Sequence, residues 1–456
     1  MVRSRRMPIA TTVCPPNERR PGPYRCRVSA RSSAAAILWL LVAASGGASA
    51  FAPNDRGWRS PASAGAVDAA GERSADSQAQ PGYVWPNGPP DDPNYFPIGV
   101  WLQSADNAAA YREIGINHFV GQWQGPTESQ LAALTEADMP VIGEQNAVAL
   151  THLADPILLG WLQQDEPDNA QPDGQGGYGP CVDPAEIVAR YEAMKATDPS
   201  RPVWLNLGQG VAHDYDRPYV GRGSVCASRW DQYPDYVRGA DIVSFDIYPV
   251  TSPYDHIRGD LWRLAVGLDR LHEWTNGEKI VWNVIETAHI RSDEMPTPHQ
   301  LRAEVWISLV HGSRGIVYFA HEWQPAFREA ALLHYAETRR AVAAINAEIR
   351  SLAPVLNSPT EPDAIAVVSA NAGVPVDTVV KRHGGYTYVI AVAMRDSPTR
   401  ATFRFAGASS GRAEVIGEDR QIAVVAGAFE DDFDGYGVHL YRVRTPGPLG
   451  LPWLGR

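Results

Sequence analysis

Two stretches of this chain run from apolar residues straight into a carboxylate. Gly160–Asn169 reads Gly-Trp-Leu-Gln-Gln-Asp-Glu-Pro-Asp-Asn, and Val281–His289 reads Val-Trp-Asn-Val-Ile-Glu-Thr-Ala-His. Glu166 and Glu286 are the candidates for chemistry. Two carboxylates that flank an acetal can cleave it: one protonates the leaving oxygen, and the other attacks the anomeric carbon or activates water. Pro167 restricts Glu166 toward an extended conformation, which would fix the direction of its carboxylate. Taken singly, the first stretch also reads as a solvated acidic loop and the second as a helix cap or an ion-pair partner. The recurrence of the pattern is what points to a site.

The surrounding pattern supplies elements to position the pair. Eight strand candidates follow one another: Ile98–Leu102, Ile116–Val120, Pro140–Glu144, Ile157–Gln163, Val203–Leu207, Asp241–Ile247, Lys279–Ile285 and Gly315–Ala320. Their nearly continuous apolar runs suit strands covered on both faces. Amphipathic stretches such as Thr127–Ala137, Pro184–Ala196, Arg258–Thr275 and Pro298–His311 alternate with them, and those after the third and fifth strands are weak or short. This order predicts a closed (β/α)8 barrel over 93–355. Glu166 and Glu286 then end the fourth and seventh strands and face each other across the mouth. A last helix, Phe327 to Leu352, is expected to stop before Pro354. Beyond it, Ala364–Ser369, Thr378–Arg382, Thr387–Val392, Thr402–Phe405 and Gly437–Val443 alternate in polarity and predict a small all-β sandwich over 356–446.

With these motifs, the chain resembles the clan A glycoside hydrolases, the large retaining (β/α)8 group, over about 96–325. The resemblance implies Glu166 as acid/base and Glu286 as nucleophile. It also implies substrate-site roles for Tyr248 after the sixth strand, where many members place an aromatic on the nucleophile, and for Trp323 after the eighth, where a Trp floors the sugar subsite. Two departures stand out. The clan usually carries Asn before the acid/base, and here that residue is Asp165, which by like-charge repulsion would raise the pKa of Glu166 or take over some of its work. An Arg near the end of the second strand is also common there, and Asn117–Gly125 contains none.

Polar residues recur at the same strand ends: Gln103, Gln122 with Trp123, Glu144 with Gln145 and Asn146, Asn206, and Asp246. Buried polar groups are costly unless paired, so their clustering suits a polar cleft that recognises sugar hydroxyls. Gln103, Trp123, Gln145, Asn206 and Asp246 join Asp165, Tyr248 and Trp323 as substrate-binding candidates. For Asn206 and Asp246 in particular, an internal hydrogen bond is the competing role. The competing reading of the whole chain is a carbohydrate-binding barrel without turnover. No cofactor or metal is expected: no His-x-His ends the first strand, no Cys-x-x-Cys occurs, and no Gly-x-Ser-x-Gly elbow appears.

Bulk properties narrow the class. The chain has 456 residues, 44% hydrophobic and 20% charged, enough for a barrel of roughly 250 to 300 residues plus a smaller domain. Its net charge of −12 and the lack of a basic patch beyond residue 31 argue against nucleic acid. The 14 Trp and 18 Tyr suit stacking on the apolar faces of sugars, although aromatics also fill cores.

The N-terminus reads as an export signal over 1–50. An Arg-rich stretch precedes the apolar run Ala34–Ala44 and the Ala48-Ser49-Ala50 cleavage pattern. The run is short for a transmembrane helix, so a secreted or extracytoplasmic protein with no stable membrane anchor is expected. Residues 51–92, rich in Ala, Ser, Gly, Pro and Asp, read as a flexible linker or loosely held arm. Cys181 and Cys226 remain after cleavage, and a disulfide between them would tie two loops on one barrel face.

Overall fold

The computed structural model describes residues 82–214, 229–406 and 410–444. The expected signal segment, most of the expected linker, and Cys226 with its pairing to Cys181 lie outside the described residues. Among those residues, no helix is long and apolar enough to cross a membrane.

All eight expected strands are present. They are β1 (Ile98–Trp101), β2 (His118–Val120), β3 (Val141–Gly143), β4 (Leu158–Leu162), β5 (Val203–Leu207), β6 (Ile242–Phe245), a seventh strand in two pieces, β7 (Ile280–Val281) and β8 (Asn283–Glu286), and β9 (Ile316–Phe319). Each pairs in parallel with its neighbour, and β9 pairs with both β1 and β8, so the ring closes. Residue 282 separates the two pieces. The Trp282 ring lies inside the barrel, its indole near His118, with ring centroids 5.3 Å apart. Val120, Ile142, Trp204, Ile242, Val284 and Val317 fill the same interior. It is a packed core, so any cleft must lie at a rim.

The helices start where the sequence can cap them. Thr127 and Thr297 form capping boxes with Gln130 and Gln300, opening α2 (Glu128–Glu136) and α6 (Pro298–Val310). Asp183 caps α3 (Pro184–Thr197), with Pro184 in its first turn. The expected helix after β6 is α5 (Arg263–Trp274), and α1 (Ala108–Glu113), α4 (Tyr233–Tyr236) and α7 (Ala331–His334) are short. The last long helix, α8 (Ala336–Leu356), does not stop before Pro354 but runs through it. Proline so near the end removes only one helical hydrogen bond. Val355 and Leu356 are buried beyond it, and that burial favours the extra residues.

The arm before the barrel also departs from the expectation of a loose linker. Tyr83 enters the barrel interior and is buried. Its hydroxyl donates to the Arg314 carbonyl at 2.8 Å and accepts from Trp282 Nε1 at 2.9 Å.

Among the described residues after α8 come eight antiparallel strands, β10 (Ile365–Ser369), β11 (Val376–His383), β12 (Tyr386–Ala393), β13 (Thr399–Phe405), β14 (Gly411–Val415), β15 (Arg420–Val424), β16 (Ala428–Phe433) and β17 (Val438–Arg444). They form a three-stranded sheet, β10-β13-β16, and a five-stranded sheet, β11-β12-β17-β14-β15. Phe403, Phe429, Val389 and Tyr441 belong to the core of this sandwich. The five-stranded sheet packs on α6 and α8. At that seam His311 lies 2.8 Å from Asp269 of α5 and 3.3 Å from Asp377 of β11.

Candidate active site

The C-terminal rim of the ring carries a connected polar layer. From β6, the Ser244 hydroxyl donates to Asn206 Oδ1 on β5 at 2.8 Å. Asn206 Nδ2 in turn donates to Asp165 Oδ1, beyond β4, at 3.3 Å. Asp246 follows β6 and accepts the Tyr248 hydroxyl at 2.6 Å. Burial, then the charge of Asp246, and more weakly that of Asp165, push the Tyr248 hydroxyl well above its ordinary pKa. Asp165, Asp246, Asn206 and Tyr248 are thus brought together. Asp165 is half-buried, whereas Asp246 is almost covered. Asn206 makes the internal hydrogen bonds that competed with a binding role.

Glu166 follows Asp165 and is buried. Its backbone is not extended: φ is +43°, in the left-handed region. Pro167 therefore does not hold Glu166 extended, because the hydrogen bonds of the turn fix its geometry. Glu166 N–H donates to the Asn206 carbonyl at 3.0 Å, and its own carbonyl accepts from Asn169 N and Gln171 Nε2, both at 3.0 Å. A non-glycine residue held there costs about 1–3 kcal/mol. The turn is also tied down by Asp168, which accepts from Gly208 N at 2.8 Å and the Tyr233 hydroxyl at 2.9 Å. Burial outweighs these donors and pushes Asp168 up to about 6.

Glu286 ends β8 and is fully enclosed. Its oxygens accept from the backbone N–H groups of Val250 and Thr251, in the segment after β6, at 2.6 and 3.0 Å. Its carboxyl also meets that of Glu304 on α6. Burial pushes Glu286 up to about 7 even though the two amides favour its ionised form. The hydrogen bond found for the Tyr248 hydroxyl runs to Asp246. Glu304 was missed by the sequence reading. Its place inside α6 reads as one polar residue in an otherwise buried helix, and only the register of α6 on β8 reveals its neighbour.

Of the remaining candidates, Trp123 and Trp323 meet in an aromatic group. The Trp123 ring stacks on His321 with centroids 5.5 Å apart and planes 20° apart, and its Nε1 donates to Glu329 at 2.7 Å. Phe327 packs on Trp323 at 4.7 Å. Trp123 and Phe327 are exposed, at 40% and 52%. Held on one face and at its nitrogen, the Trp123 indole offers a fixed apolar surface to solvent. Gln103 does not line a cleft. It is wholly buried, its amide donates to the carbonyls of Trp101 and Glu329, and it accepts from the Tyr111 hydroxyl. Gln145 donates to the Met194 carbonyl of α3 at 3.2 Å and is only partly covered. Gln122 is buried with no hydrogen-bond partner at either end of its amide. Arg291, beyond β8, acts electrostatically on the Tyr248 hydroxyl. Among the described residues, no group of three or more His, Cys, Asp or Glu side chains could hold a metal ion.

No family profile matches the chain, and no curated protein does. Solved structures do. An α-amylase from Geobacillus thermoleovorans complexed with acarbose is 10% identical, with a TM-score of 0.47, covering 78% of this chain and 99% of that one. The α-galactosidase I from Mortierella vinacea is 11% identical, with a TM-score of 0.47, covering 77% and 98%. An endoxylanase from Clostridium papyrosolvens is 12% identical, with a TM-score of 0.41, covering 77% and 96%.

Proposed function

We propose that this chain is a secreted glycoside hydrolase that cleaves O-glycosidic bonds of a poly- or oligosaccharide at the C-terminal rim of its barrel. In this reading Glu166 is the acid/base, Glu286 is the nucleophile, and the mechanism is a retaining double displacement. The observation that carries it is one rim holding strained Glu166, amide-clamped Glu286 and a fixed, exposed indole at Trp123. The amides favour a charged Glu286, the form a nucleophile needs, and burial strips it of water. Trp123 supplies a stacking face, and Asp165 and Asp246 supply acceptors for sugar hydroxyls.

A second division of labour is favoured by the enclosure of Glu286. Asp165 is only half-buried, and both Asp165 and Asp246 act on the Tyr248 hydroxyl. This pair would then do the carboxylate work, with Glu286 holding the segment after β6 in place. The first test is a screen of the purified protein on aryl glycosides and extracellular polysaccharides. Turnover that is lost in Glu286→Ala but kept in Asp246→Asn supports the first division, and the reverse supports the second. Binding without any turnover would leave a carbohydrate-binding barrel.

A further inference from the structure

Glu304 is a carboxyl whose surroundings offer it little except Glu286. It lies on the face of α6 that covers β8 and is fully enclosed. One turn on, Ser308 accepts from Asn283 Nδ2 at 2.9 Å, which sets the register of the helix on the strand. That register sets the enclosed Glu304 carboxyl beside that of Glu286, close enough for each to act on the other. No donor reaches either Glu304 oxygen.

Two enclosed carboxylates side by side cannot both be ionised, so the pair holds a proton between them. Its seat follows from the donors. Glu286 has two backbone N–H groups on its oxygens, and Glu304 has none. The charge therefore rests on Glu286 and the proton on Glu304. We propose that Glu304 is a positioning residue: a neutral carboxylic acid that donates a hydrogen bond to the Glu286 carboxylate and holds it in the orientation for attack. The inference rests on the reading of Glu286 as nucleophile. Without the Glu304 proton, the enclosed Glu286 charge would lose a donor.

Two substitutions in the full chain separate the roles. Glu304→Gln keeps a donor, and Glu304→Leu removes it. Both are followed through the pH dependence of kcat and kcat/KM on an aryl glycoside, with thermal unfolding to establish that each variant is folded. Glu304→Gln is expected to keep kcat/KM within about tenfold, with the acid limb within about half a pH unit of wild type. Glu304→Leu is expected to lower kcat by about a hundredfold at unchanged KM and to raise the acid limb by about one unit or more. An acid limb that falls by more than about one unit in Glu304→Gln would place the charge on Glu304 and overturn the assignment. A Glu304→Leu enzyme indistinguishable from wild type would overturn it as well. A wild type inactive on every glycoside sinks the hydrolase reading separately. In that case, or if Glu304→Leu does not fold, ¹³C NMR of the glutamate carboxyls decides. A resonance lost in Glu304→Gln that stays protonated through neutral pH supports the assignment, and an ionised one overturns it.

Discussion

At the scale of single residues, the rim spends free energy that the fold does not recover locally. Glu166 sits in a strained left-handed conformation, Glu286 carries its carboxyl fully out of water, and Gln122 buries an amide with neither end satisfied. An unpaired buried polar group costs about 1–3 kcal/mol. Replacing it by an apolar side chain of similar shape removes that cost. Gln122→Met should therefore leave the denaturation midpoint unchanged or raised. If the amide serves a sugar hydroxyl, the same change should raise KM about three- to tenfold, the worth of one hydrogen bond. A clear loss of stability in urea titration would show instead that Gln122 is part of the scaffold.

At the scale of elements, the barrel positions these residues through strand ends and the turns that follow them. Its lower end is closed by Tyr83, whose hydroxyl is the partner of Trp282 Nε1 inside the ring. Tyr83→Phe should cost about 1–3 kcal/mol by urea denaturation, because it orphans that indole N–H. No change would mean that the arm does not matter to the core. The elements were largely legible beforehand. Continuous apolar runs such as Val203–Leu207 mark strands covered on both faces, and Thr or Asp before Pro marks helix starts. Strands β14, β15 and β16 were not legible. Segments such as Arg420–Val424 and Ala428–Phe433 bury few residues and carry charge on the other face, so little apolar signal remains. The site was legible only in part. Strand ends announced Glu166 and Glu286, but the +43° turn at Glu166 and the Glu304 contact arise from tertiary packing, which local pattern does not encode.

At the scale of the whole molecule, the sandwich is joined to the barrel by a titratable group. Burial alone would lower the pKa of His311, but Asp269 and Asp377 outweigh it and push it up to about 9. The sign follows from that direction. A histidine with a raised folded pKa gives stability that is complete below its unfolded value near 6.5 and is lost as pH rises through about 9. Its worth is on the order of 3 kcal/mol. Compared by urea denaturation, wild type should exceed His311→Gln by about that amount at pH 6, and the gap should close above pH 9. A gap independent of pH would mean that His311 acts by packing alone. The central claim, that Glu286 attacks and Glu166 donates the proton, is tested most directly by chemical rescue on an aryl glycoside that the enzyme hydrolyses. Glu286→Ala should abolish turnover, and added azide should restore it with inverted product. Glu166→Ala should slow substrates with poor leaving groups by about 10²–10⁴-fold and spare activated ones. Full activity of Glu286→Ala without azide, or a Glu166→Ala defect that ignores the leaving group, would contradict the account.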